Sequence, residues 1–115
     1  MNTDRELLVL AAKASGLTTR HKWNSERLAL NPPVADMVVH LNGELVTTGW
    51  NPLTNDGDAL RLAAKLHLQI TISPCHCDVY SPEHDLGISE NFKDNCEATR
   101  RAIVRAAAEI GRAMP

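Results

Sequence analysis

Aromatic side chains are nearly absent: two Trp, one Tyr and one Phe in 115 residues. The core must therefore be built from Leu, Val, Ile and Ala, and any stacking site must draw on Trp23, Trp50, Tyr80 or Phe92. Cysteine is scarce and odd in number (Cys75, Cys77 and Cys96), which argues against a disulfide framework. No run approaches the roughly 18 apolar residues of a membrane-spanning helix. The start, MNTDRELL, lacks the basic-then-apolar order of a signal peptide. Both absences point to the cytoplasm. A basic excess is missing too: 12 Lys+Arg stand against 14 Asp+Glu, for a net charge of -2. Phosphate neutralisation dominates duplex binding, so this balance argues against general nucleic-acid binding. There is no glycine-rich phosphate loop, no G-x-S-x-G elbow and no HExxH pair, and these gaps weigh toward binding over catalysis.

What is present suffices for one domain, 1–115, with one core. Thr3 followed by Glu6 fits a capping box, Leu7, Leu8, Leu10 and Ala11 recur at helical spacing, and Gly16 can close the helix, predicting a helix over 4–15. Segment 17–33 is polar and basic, and is read as a short edge strand around Lys22 followed by a loop. Two β-branched, apolar runs, 36–41 and 44–50, flank Asn42-Gly43, the strongest short-range hairpin signal. Thr54, Asn55 and Asp56 are all competent caps for a helix reaching Leu66, with Lys65 and His67 at its negative end. Residues 68–72 alternate as a strand with one buried face, and 75–80 resume as another. Residues 81–93 hold Pro, Gly, Ser and Asn and read as an exposed loop. A long Ala-rich helix then runs from Asn91 or Asp94 to Ala113. The order predicts an α+β fold with about three helices on an antiparallel or mixed sheet.

Three blocks, RELLVLAAKASGL (5–17), WNPLTNDGDALRLAAKL (50–66) and EATRRAIVRAAAEIGRAM (97–114), resemble the small phage and prophage proteins of the phage ABA sandwich domain family. They cover about half the chain. Trp50, Asn51, Pro52, Leu53, Asp56, Gly57, Asp58 and Arg61 match the most specific block. The resemblance implies an α-β-α sandwich made by a phage inside a bacterial cell. It implies no activity.

Several residue groups are candidates for a site. Trp50 and Asn51 sit where a strand meets a helix; a Trp there anchors a ligand or staples the fold. Arg61 lies in the same block. Arg20 and Lys22 in the unpatterned segment, and Arg100, Arg101 and Arg105 on the last helix, could hold phosphate through charge-assisted bonds, with a Trp such as Trp23 taking a base. Cys75, His76 and Cys77 carry zinc-ligand chemistry, although their spacing is not that of a finger or ribbon. On a strand the two thiols would share one face and His76 would take the other. No cofactor is expected apart from that zinc alternative. The expected function is a phage accessory protein that binds a phosphorylated small molecule, such as a nucleotide signal of host defence. The alternatives are a module docking on a host protein and a zinc- or thiol-dependent enzyme using Cys75-His76-Cys77. A symmetric homodimer is the default assembly.

Overall fold

A computed structural model describes residues 3–91 and 94–115; Phe92 and Lys93 lie outside the described residues. The elements are α1 (Asp4–Ala14), α2 (Lys22–Leu28), β1 (Met37–Leu41), β2 (Glu44–Trp50), α3 (Asp56–Lys65), β3 (Gln69–Ile72), β4 (His76–Ser81), β5 (Leu86–Asn91) and α4 (Asn95–Ala113). The fold is α+β, as the element order predicts.

Local chemistry sets the helix ends. Thr3 accepts from the Glu6 N–H at 3.2 Å and starts α1. Gly16 ends it at φ +79°, with Leu17 N–H reaching Ala12 O at 2.9 Å and Gly16 N–H reaching Lys13 O at 3.1 Å. This pair of bonds satisfies carbonyls that the last helical turn leaves open. Asn55, of the three competent caps, starts α3 by accepting from Asp58 N–H at 2.8 Å. The same double closure ends α3, where His67 takes the left-handed position at φ +55° that glycine usually fills. Asp94 caps α4.

β1 and β2 form the expected hairpin, with Asn42 and Gly43 both at positive φ, as a two-residue turn of this type requires. The pairing is antiparallel, within the antiparallel or mixed sheet expected, and it divides into two sheets, β1-β2 and β3-β4-β5. Among the described residues no strand pairing joins them; they share a core through the helices.

Segment 17–33 departs from the expected edge strand around Lys22 and loop. Thr18 does bridge to His40 on β1, but Lys22–Leu28 is a seven-residue helix capped by His21. Its one buried residue is Asn24, so the segment has no apolar stripe to announce it. Asn24 Oδ1 accepts from Val38 N–H at 2.7 Å, and its Nδ2 donates to Val38 O and Thr19 O at 2.9 Å each. The side-chain amide thereby replaces a missing neighbour strand along the outer edge of β1. This helix brings the described helices to four, where about three were expected.

Residues 81–93 do not form a loop throughout. Leu86–Asn91 is a strand paired along its whole length with β4. Leu86, Ile88 and Glu90 are its more buried side and Gly87, Ser89 and Asn91 its exposed side. Two apolar residues in six are too few to stand out from the surrounding turn formers.

The core is a single cluster around α4. Ala98, Ala102, Ile103, Val104, Ala106, Ala107, Ala108, Ile110 and Gly111 are all buried, because α1 and α3 pack on this helix together with β4 and β5. Small side chains let backbones approach. At the crossing with α1, a Cβ on Gly111 would stand 2.0 Å from the Leu10 carbonyl oxygen.

Candidate functional site

The Trp-Asn-Pro-Leu block borders a pocket, which Trp50 lines. Trp50 ends β2, is 6% exposed, and belongs to the core cluster. Asn51 is buried behind it. Its N–H donates to Asp58 Oδ2 at 3.0 Å, its Nδ2 to Asp36 Oδ1 at 2.9 Å, and its Oδ1 accepts from Leu53 N–H at 3.1 Å. This network locks the link from β2 to α3 and places the buried Asp58 carboxylate at the pocket. Asp58 Oδ1 in turn accepts from Arg61 at 2.7 Å.

The pocket has a volume of about 390 Å³. Leu17, Leu41, Val46, Trp50 and Leu62 supply apolar walls, and Arg61 and Lys65 line it one helical turn apart. The Arg61 side chain is 73% exposed, and Asp58 engages one of its terminal nitrogens. Asp58 is the only acid in this lining. An apolar body with a cationic rim is a setting for an amphipathic anion.

The nine predicted binding residues do not converge. Trp50 and Arg61 line the pocket, and Asn51 supports it from behind. Arg20, Lys22 and Trp23 belong to the α2 region and line neither this pocket nor the cleft described next. Trp23 packs edge-on against His21, with the Arg27 guanidinium 5.9 Å from its ring centre. The arginines of α4 go three ways. Arg100 donates to Leu53 O at 2.8 Å and to Asp56 at 2.7 Å, tying α4 to the start of α3. Arg101 pairs with Asp4 at 3.1 Å. Arg105 pairs with Glu90 on β5. Arg101 and Arg105 line a second cleft of about 650 Å³, over Leu7, Leu86 and Ile88, with Glu90 and Glu109 beside them. Two acids balance the two guanidinium groups in this lining, whereas Arg61 and Lys65 face one acid in the first pocket, so this cleft offers phosphate little net attraction. Lys65, Leu17, Leu41 and Val46 escaped the sequence reading. Only Lys65 had a signal, its position four residues after Arg61 on one helical face.

The Cys-His-Cys cluster splits across the sheet. Cys77 is fully buried on the side of β4 that faces α4. His76 lies on the outer side, its Nε2 3.2 Å from Asp78 Oδ2. Cys75 precedes β4 in an exposed turn, so the two thiols do not share a strand face. No group of three His, Cys, Asp or Glu side chains suited to a metal occurs among the described residues.

Burial pushes the Cys77 thiol above its ordinary value near 9.0, against a smaller opposing pull from its hydrogen bond with Thr99. A raised folded-state value favours the protonated form. That contribution to stability is complete below pH 9 and is lost as pH rises through the folded value. The urea midpoint is therefore expected to decline as pH rises above 9, and less steeply in Cys77→Ala. Equal slopes would show that Cys77 stays protonated in both states or ionises equally in both.

Among the described residues, no helix is long and apolar enough to cross a membrane. Comparison of the chain with family models, with curated proteins and with solved structures finds no match.

Proposed function

We propose that this chain is a small binding protein that holds a phosphorylated small molecule in the Trp50–Arg61 pocket. The observation that carries the proposal is the pairing of an aliphatic cavity with Arg61 and Lys65 on one helical turn. The flat part of the ligand would lie against Leu17, Leu41 and Val46, beside Trp50. The phosphate would meet Arg61 and Lys65, where charge-assisted bonds are strongest beside a partly dry wall. Asp58 orients Arg61, as a second partner commonly does for a recognition guanidinium. The resemblance of the three blocks supplies the setting. On this reading the protein is phage-encoded, works in the cytoplasm of the bacterial host, and sequesters a nucleotide signal used in defence.

Native mass spectrometry of protein purified gently from a bacterial host tests the proposal. The expected result is a mass excess of nucleotide size, with nucleobase absorbance, released intact on denaturation. Arg61→Ala combined with Lys65→Ala should weaken rebinding by roughly a hundredfold, from about 1.4 kcal/mol or more per lost charged contact. A bare mass, with no nucleotide raising the melting temperature, would overturn it. A host protein captured through the exposed Leu45 and Val46 of β2 would then favour docking.

A further inference from the structure

A second group of reactive side chains lies on the outer face of β3-β4-β5, away from the pocket. Its members stand in an ordered chain. Ser89 Oγ donates to Asp78 Oδ1 across the β4-β5 pair. Asp78 Oδ2 lies 3.2 Å from His76 Nε2. His76 Nδ1 lies 3.9 Å from Cys75 Sγ. A carboxylate at Nε2 favours the tautomer with its proton there, which would present the Nδ1 lone pair to the thiol. Nucleophile, base and orienting carboxylate thus follow in the order that activated nucleophiles use. Register explains the arrangement: His76 and Asp78 are two residues apart on one strand face, and Ser89 is directly opposite Asp78. Cys75 is exposed in the turn, open to a co-reactant.

The geometry points to Cys75 as a nucleophilic thiol that exchanges with small-molecule disulfides, with His76 as its base and Asp78 and Ser89 as positioning residues. Cys75 Sγ attacks one sulfur of the disulfide while His76 Nδ1 takes the thiol proton. The original S–S bond breaks, and the departing thiolate collects that proton from His76. One mixed disulfide on Cys75 and one free thiol result, with no further oxidant. Cys77, buried on the opposite face of the strand, is not placed to displace the adduct.

The test uses the full chain carrying Cys96→Ser, since Cys96 is a second exposed thiol at the start of α4. Oxidised glutathione is added under native conditions at pH 7, and intact mass with peptide mapping follows the adduct. One adduct per chain is expected, on Cys75, forming faster than on the same protein unfolded in urea. Protection of Cys77 reports that the fold is intact. His76→Asn and Asp78→Asn should each slow Cys75 by about tenfold or more while Cys77 stays protected. Equal rates in His76→Asn and the parent overturn the proposal. So does a native Cys75 that reacts no faster than the unfolded chain, a comparison that needs no variant.

Discussion

Gly111→Ala should destabilise the protein by about 3 kcal/mol or more, although alanine is the better helix former by about 1 kcal/mol. The two effects oppose each other, and geometry decides between them. The added methyl would lie 2.0 Å from Leu10 O and 2.9 Å from the Leu10 carbonyl carbon. Both are backbone atoms of α1, so no rotamer change can relieve the overlap. The whole of α1 must move off α4, disturbing Leu7, Leu8, Ala11 and Ala12, its buried residues. For a domain of this size the expected loss is roughly 10 °C or more in melting temperature. Leu10→Ala in the same chain should not rescue it, because the clash involves no side-chain atom of Leu10. A Gly111→Ala protein as stable as the parent would show that the two helices do not cross this closely.

Asn24→Leu should cost about 3 kcal/mol, read as a shift in the urea midpoint at unchanged slope. The replacement adds apolar volume at a buried position, which would ordinarily help. It also strips partners from Val38 N–H, Val38 O and Thr19 O. An unpaired buried backbone group costs about 1–3 kcal/mol, so two or three of them outweigh the apolar gain. Asn24→Asp separates packing from bonding. It keeps the acceptor for Val38 N–H but turns the two donations into an acceptor facing two carbonyl oxygens. It should therefore be at least as damaging as Asn24→Leu at pH 7. If both variants match the parent, β1 does not depend on this amide.

Asn24 also shows why α2 was illegible. Helices are read from apolar periodicity, and this one buries a polar side chain and leaves Trp23 and Leu28 exposed. Its reason for existing lies 14 residues away, at Val38. β5 was hidden for a related reason. Its pairing partner β4 and the helix over it supply what Leu86 and Ile88 alone cannot signal. The candidate site was half legible. Trp50, Asn51 and Arg61 stood out as one block, and the structure joins them. Arg100, Arg101 and Arg105 looked like one basic group because adjacency in sequence resembles adjacency in space. On a helix, Arg100 and Arg101 diverge by about 100°; Arg101 and Arg105, one turn apart, share a cleft but pair with acids on different elements.

Caps, turns and the periodic helices were determined locally, by the sequence itself. Thr3, Gly16, Asn42-Gly43, Asn55 and Asp94 act on backbone groups within a few residues, so their effect is written where they stand. The division into two sheets, the pairing of each arginine and the walls of the pocket were decided only in three dimensions. So were the 2.0 Å approach at Gly111 and the chain from Ser89 to Cys75. Each depends on elements far apart in sequence meeting at distances of a few ångströms. Packing and charge pairing act over that range, and periodicity and spacing carry no record of it.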